Sequence, residues 1–126
     1  MRFGIRLTCA VAALGVLAVG GPARAAEHES KGRVIQVVSA VVGGKNVFIP
    51  STIVVAEGVP NTLSIFNTTD KPHGFRIPAL KIEAVLAPQE ETRVELPALE
   101  GGEIFEINCH LHPPHRTATL VVLDGD

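Results

Sequence analysis

The chain has 126 residues, a length that allows one domain of ordinary size and excludes a second. It carries 11 Lys and Arg against 13 Asp and Glu, and this net charge of −2 excludes the strongly basic surface typical of nucleic-acid-binding proteins. With five Phe and neither Trp nor Tyr, any hydrophobic core is expected to consist mainly of Val, Ile, Leu and Ala.

The start of the chain has the three parts of an export signal. Two arginines precede an uncharged apolar run at residues 7–20, and Ala23-x-Ala25 then suits signal peptidase. Cleavage is expected after Ala25, with a cut after Ala26 as the neighbouring option. A membrane anchor is the alternative, but this run is short for a span that takes about 20 residues. We therefore expect residues 1–25 to be a signal peptide, the protein to be periplasmic, and the mature form to lack a membrane span.

Removal of this segment changes the charge and the cysteine count. Three arginines are lost with residues 1–25, so the net charge moves from −2 to −5. Cys9 is lost as well, which leaves Cys109 as the single cysteine. No intrachain disulfide can form, and a lone thiol in an oxidising compartment is at risk of oxidation unless something occupies it. A bound metal would protect it.

The remaining sequence predicts short strands. Residues 26–32 are polar and are expected to be flexible, and residues 33–126 are expected to form one domain. Runs that are rich in β-branched residues or alternate with period two are separated by Gly and Pro. These runs are 33–42, 47–50, 52–56, 61–67, 74–77, 82–86, 92–96, 103–107 and 118–123. The spacing predicts an all-β sandwich of about seven to eight strands, with a helical turn within 78–85 as the one exception.

Histidines and a cysteine cluster between two predicted strands. The loop at 108–115 reads Asn-Cys-His-Leu-His-Pro-Pro-His, so Cys109, His112 and His115 recur at every third position. In a tight turn that spacing can bring three side chains to one point. His73 lies in a second loop between two other strands. A thiolate with imidazoles favours copper or, as an alternative, zinc, and disfavours magnesium and calcium, which take oxygen ligands.

Three further residues of these loops have alternative interpretations. His110 is expected to be a bystander, because neighbours in an extended loop point apart. Asn67 ends the strand before the His73 loop, and Asn108 precedes the cysteine. Either amide could hold the two loops together, or could have only a local role in a turn.

The motifs of the domain, taken together, resemble the cupredoxins. The matching residues are Phe48-x-Pro50-x-x-Ile53-x-Val55-x-x-Gly58, Leu63-x-Ile65-x-Asn67, His73-Gly74-Phe75, Cys109-x-x-His112-Pro113-x-His115 and Leu120-Val121-Val122. The resemblance implies a Greek-key β-sandwich that holds one copper ion at one end. It also implies that His73, Cys109 and His112 are the three strong ligands.

The fourth position departs from the family pattern. The loop spacing is amicyanin-like, but His115 stands where the axial Met would be, and the only methionine is Met1. We expect His115 to be the fourth ligand, with a shorter axial bond and a lower reduction potential than a Met-ligated site. The loop is also partly similar to that of nitrosocyanin, which has a further His, no Met ligand, and a carboxylate where this chain has His73. A binuclear site is excluded because Phe105 stands where a second thiolate would be needed.

These observations favour outer-sphere electron transfer at a mononuclear copper site rather than an enzyme. The charge of −5 predicts a redox protein partner with a basic docking surface and no nucleic-acid partner. Two alternatives stay open: a periplasmic copper carrier or delivery protein, and a nitrosocyanin-like open copper site that binds a small molecule. A zinc protein with a structural role is a further option that the ligand types permit.

Overall fold

The computed structural model of the protein describes residues 32–111 and 115–125. Within them lie nine strands and one 3₁₀ turn at Pro78–Leu80. The strands are β1 (Val34–Val42), β2 (Lys45–Ile49), β3 (Thr52–Ala56), β4 (Asn61–Asn67), β5 (His73–Ile77), β6 (Ile82–Leu86), β7 (Glu91–Leu96), β8 (Ile104–Ile107) and β9 (Ala118–Leu123). Each run predicted as a strand forms one, and the prediction of an all-β sandwich is confirmed.

The strands form two main sheets and a two-stranded pair. One sheet has the order β2-β1-β4-β7, the second has the order β3-β9-β8, and β5 pairs with β6. The β1–β4 and β3–β9 pairs are parallel, and the other pairs are antiparallel. An antiparallel bridge between Arg76 and Asn108 joins β5 to the end of β8, with N–H···O distances of 2.8 and 2.9 Å. The β5–β6 pair therefore continues the second sheet.

The structure has nine strands, one for each of the nine predicted runs, where seven to eight strands were expected, and the chain changes sheet at residues 50–51. β2 pairs with β1 in the first sheet, whereas β3 pairs with β9 in the second. Pro50 has no N–H to donate to a ladder, so it ends β2 and allows the crossing. The helical turn expected within 78–85 is confined to Pro78–Leu80, and β6 follows with side chains of alternating burial.

Buried aliphatic side chains from all the sheets meet in one core, as the composition predicted. Phe48 and Phe75 are its aromatic members, and both are almost fully buried. The largest aliphatic members are Ile53, Leu63, Ile65, Ile77, Leu86, Leu96, Ile107 and Leu120. Burial of each such side chain stabilises the fold by about 1.5–3 kcal/mol. This packing fixes the strand ends from which the histidines and the cysteine project.

Five strand ends meet at one end of the sandwich. Asn67, the last residue of β4, bonds to the Leu86 carbonyl at the end of β6, and Leu86 pairs with His73 at the start of β5. Ile107 at the end of β8 pairs with Ala118 at the start of β9. Together with the Arg76–Asn108 bridge, these pairings bring the two predicted ligand loops together. In the part of the chain that the structure describes, no helix is long and apolar enough to cross a membrane.

Candidate metal centre

Three of the four predicted ligands lie together at this end of the sandwich. His73 begins β5, Cys109 follows β8, and His115 precedes β9. One ligand atom from each side chain, an imidazole nitrogen or the thiol sulfur, lies within 4.8 Å of the other two. His73 is buried, and the other two are half-buried. The fourth predicted ligand, His112, lies outside the described residues, so its role stays a prediction.

The backbone around His115 is tied to the β1–β2 hairpin. His115 forms a bridge with Asn46, and the next residue, Arg116, donates its N–H to the Asn46 carbonyl at 3.0 Å. The imidazole Nδ1 of His115 lies 2.9 Å from the Arg116 carbonyl and donates to it when that nitrogen carries the hydrogen. The Nε2 atom of His115 is then an acceptor. It is buried and has no hydrogen-bond partner among the described residues, which is the arrangement that a metal ion would complete.

Aromatic packing holds the His115 ring. The Phe48 ring lies against it with centroids 4.5 Å apart and an interplanar angle of 32°. Phe48 in turn contacts Phe75 edge to face at 5.5 Å, and the His73 and His115 rings meet edge to face at 5.6 Å. The ring of His115 is therefore fixed by the hydrophobic core on one side and by its backbone hydrogen bond on the other.

The Cys109 sulfur accepts a hydrogen bond from β5. The donor is the Gly74 N–H, 3.1 Å from Sγ. Gly74 also allows the close approach of the cysteine loop, since a Cβ at this position would lie 2.5 Å from Nδ1 of His110 and 2.8 Å from its backbone nitrogen. A residue with a side chain would push the loop away from the strand that carries His73.

Asn108 connects the cysteine loop to β5, and it does so through Arg76. Besides the backbone bridge, the Asn108 Oδ1 accepts from the Arg76 Nε at 3.0 Å, and the Asn108 Nδ2 donates to Glu106 at 3.1 Å. The hypothesis that the Asn108 amide helps to hold the two ligand loops together is thus supported. The contact is with the strand after His73 rather than with the loop before it.

Asn67 holds the loop that leads to His73. This side chain is fully buried, and its Nδ2 donates to the Lys71 and Leu86 carbonyls at 2.8 and 3.0 Å. Its Oδ1 accepts from the backbone N–H and the hydroxyl of Thr69 at 3.0 and 2.8 Å. Asn67 therefore combines the local turn role with a link to β6, and among the described residues it makes no bond to the cysteine loop.

His110 lies outside the cluster, in agreement with its expected role as a bystander. Its ring packs over Gly74, and its Nε2 lies 3.5 Å from Glu83 on β6. Two contributors were missed at the sequence level: the Phe48 ring beside His115, and Arg76. The sequence does contain a clue to Arg76, because it is the one charged residue in the otherwise buried strand His73–Ile77.

The donor set suits a thiophilic transition metal. One sulfur and two imidazole nitrogens are ligands for copper or zinc, and hard cations prefer oxygen. His73 starts β5, whereas Cys109 follows β8 and His115 precedes β9, so the packing of three strands brings the three side chains together. The arrangement could hold a metal ion between its three ligand atoms.

One family model matches this chain, and several solved structures are similar to it. A family model described as a cupredoxin-like domain matches residues 10–122, so the match overlaps the end of the predicted export signal. A search of curated proteins found no match.

Among solved structures, a copper-binding protein determined by NMR in its apo form is 24% identical, with a TM-score of 0.56 over 72% of this chain and 88% of that one. A blue copper oxidase from Nitrosomonas europaea is 17% identical, with a TM-score of 0.54 over 76% of this chain and 40% of that one. A novel purple cupredoxin from Nitrosopumilus maritimus is 19% identical, with a TM-score of 0.49 over 70% and 98%. At their identities, the likenesses to the apo copper-binding protein and to the oxidase concern the fold alone.

Proposed function

Because the chain belongs to the family of cupredoxin-like domains, we propose that it binds one copper ion and acts in outer-sphere electron transfer. The proposed ligands are His73, Cys109, His112 and His115. The observation that carries the proposal is the convergence of a thiol and two imidazoles within 4.8 Å at one end of the sandwich. The buried Nε2 of His115 supports it, since that atom has no hydrogen-bond partner among the described residues.

The surroundings of the ligands favour electron transfer. Copper, when bound, supplies a one-electron Cu(I)/Cu(II) couple. The Gly74 N–H donates to the sulfur of Cys109, and such a hydrogen bond stabilises a thiolate. Phe48 and the Arg116 carbonyl fix the His115 ring. Ligands that are held in this way move little when one electron is gained or lost. Four protein ligands would also leave no open position for a substrate, so we propose a carrier rather than an enzyme.

Export to the periplasm is part of the proposal. It rests on the signal-like sequence of residues 1–25, which lie outside the described residues, and on the cut expected after Ala25. The functional domain then begins near residue 33. The intact mass of the protein isolated from the periplasm would show whether its chain starts at Ala26.

Absorption spectroscopy of the copper-loaded protein tests the site. We expect a strong thiolate-to-copper band in the visible region, because Cys109 supplies the only thiolate of the mature chain. Cys109→Ser should remove the band. Leu111→Ser is the matched control: Leu111 lies in the same loop and is 38% exposed, so this variant should keep the band. A coloured spectrum that survives in Cys109→Ser would show that the site is assigned wrongly.

A further inference from the structure

β3 is an edge strand, and one long side of it is open. In the second sheet its only hydrogen-bonded neighbour is β9, which runs parallel to it. The bonds at the two ends of this pairing show which backbone groups face β9. The Thr119 N–H donates to the Ser51 carbonyl at 2.8 Å, and the Glu57 N–H donates to the Leu123 carbonyl at 3.1 Å.

The open side carries the backbone groups of alternate residues. In a parallel ladder, a residue that turns its N–H and C=O toward one neighbour alternates with a residue that turns them away. The odd-numbered residues from 51 to 57 face β9, so the N–H and C=O groups of Thr52, Val54 and Ala56 face the open side. In the part of the chain that the structure describes, these groups accept and donate no hydrogen bond. β3 thus presents a row of unpaired donors and acceptors.

β3 also lacks the features that keep an edge strand from pairing with another chain. Charged side chains and prolines in an edge strand discourage such pairing. The other edge strands of the described residues carry charge: Lys45 lies on β2, Glu83 on β6 and Glu91 on β7. β3 reads Thr-Ile-Val-Val-Ala, with no charge and no proline. It is therefore the edge of this protein that is best suited to add a strand.

A row of apolar side chains runs from β3 across the outer face of the second sheet. Val54 lies beside Val121 of β9, and Val121 lies beside Ile104 of β8. Val54 is 47% exposed and Ile104 is 69% exposed. A strand added at the β3 edge extends this row, and an apolar side chain opposite Val54 would be shielded from water by it.

We propose that two copies of this chain pair through β3, antiparallel, about a two-fold axis at Val54. A two-fold axis makes the surface self-complementary, because each copy then offers the same donors and acceptors to the other. In this register the Val54 residues of the two copies lie opposite each other, and Thr52 lies opposite Ala56 of the second copy. Every outward N–H and C=O of both strands then has a partner. The inference goes beyond the proposed function and does not depend on a bound metal.

The neighbouring registers pair fewer groups. With the axis one residue earlier, Ala56 lies opposite Pro50 of the second copy, which has no N–H for the Ala56 carbonyl. With the axis one residue later, Thr52 lies opposite Gly58, whose N–H already donates to the Leu99 carbonyl at 2.9 Å. The register centred on Val54 is the one in which no outward group of β3 is left without a partner.

The charges at the two ends of β3 favour the antiparallel orientation. Glu57 follows the strand, and Ser51 before the strand lines a cleft together with Arg116. Antiparallel pairing places the Glu57 end of each copy beside the Arg116 end of the other, with the two Glu57 positions about 20 Å apart. Parallel pairing would set the two Glu57 side by side, which is destabilising. Glu106, on the same sheet, lies two strands in from the edge.

Amide hydrogen exchange and sedimentation test the pairing on the protein isolated from the periplasm. A reductant keeps Cys109 from forming an intermolecular disulfide and keeps bound copper in the diamagnetic Cu(I) state. The edge is short, so we expect monomers at about 20 μM and dimers at about 1 mM. Exchange of the Thr52, Val54 and Ala56 amides should slow about threefold between these concentrations. A chain that stays monomeric would overturn the proposal. Protection at both concentrations would show that one chain covers its own edge, and would overturn it as well.

An isotope-filtered NOE decides the register and the direction. In one chain Thr52 and Ala56 are four residues apart, about 13 Å, which is beyond the reach of an NOE. Across the proposed pair their Cα atoms are about 5.5 Å apart. A mixture of ¹³C-labelled and unlabelled copies should therefore show a cross peak between the Thr52 and Ala56 methyl groups. A dimer without this cross peak would overturn the proposal.

A charge at the axis gives a matched pair of variants. Val54→Lys sets two like charges opposite each other and should raise the dimer dissociation constant at least about tenfold. Val85→Lys makes the same change on β6, where Val85 is 57% exposed, and should change the constant by less than about twofold. Both variants should keep the NMR spectrum of the rest of the fold. Equal effects on the constant would overturn the proposal. Absence of a copper band would overturn the proposed function and would leave the dimer result standing.

Discussion

In the proposed copper site, His115 is the residue on which the electronic character depends. Its imidazole is tied to the Arg116 carbonyl and packed against Phe48, and its Nε2 is buried. An imidazole is a stronger donor to Cu(II) than a thioether, so it stabilises the oxidised state and lowers the reduction potential relative to an axial Met.

His115→Met should therefore raise the reduction potential and make the spectrum more like that of an ordinary blue copper protein. The measurements are voltammetry and visible absorption of the copper-loaded variant. His110→Met is the control: His110 lies in the same loop but faces Glu83, so this change should leave both nearly unaltered. If His115→Met changes neither the potential nor the spectrum, His115 is not a ligand.

The cluster of thiol and imidazole side chains could be predicted from the sequence, and several of the contacts that support it could not. His73, Cys109 and His115 stand out because thiol and imidazole side chains cluster between strands. The packing of Phe48 on His115 left no such signal, since an apolar residue in an alternating strand is expected in the core whatever it contacts. The Arg76–Asn108 contact depends on which strands lie side by side, and periodicity does not contain that information.

Among the elements, the turn between β4 and β5 sets the position of His73. Asn67 organises it with four hydrogen bonds, two donated to the Lys71 and Leu86 carbonyls and two accepted from Thr69. The side chain is fully buried, and so is its bond to the Leu86 carbonyl, which cannot turn to water when the amide is removed.

Asn67→Ala should lower the free energy of unfolding by about 2–4 kcal/mol, because the buried Leu86 carbonyl loses its donor and the turn loses its other three hydrogen bonds. Urea denaturation measures the change, and the copper band should shift as His73 loses its support. Thr62→Ala is the control on the same strand: its hydroxyl donates to the exposed Glu95, and its loss should cost less than about 1 kcal/mol. A loss for Asn67→Ala as small as that of the control would contradict this role.

Strand positions followed from local sequence, whereas strand partners did not. Gly and Pro mark the ends of the runs, so the predicted bounds agree with the structure to within two residues at each end. The parallel pairs β1–β4 and β3–β9 join segments that are far apart in the chain, and their register is decided by packing of the whole core. The change of sheet at residues 50–51 also depends on these partners, so local sequence did not predict it.

At the scale of the whole molecule, the distribution of charge matters more than its sum. The net charge of −5 is one number, and the basic partner inferred from it stays a prediction. Lys45, Lys71 and Arg116 stand at the end of the sandwich that carries the candidate site, and so do Asp70, Glu90 and Glu91. Glu57 and Asp124 stand at the other end. The charges that meet a partner therefore depend on the topology and not on the net charge alone.

The metal bound by the native protein is the most direct test of the account. Native mass spectrometry of the protein isolated from the periplasm, without added metal, measures its identity and stoichiometry. The account predicts one copper ion per chain, held by Cys109 and its neighbouring histidines. Stoichiometric zinc in place of copper would contradict the proposed electron transfer, because zinc has no redox couple to offer.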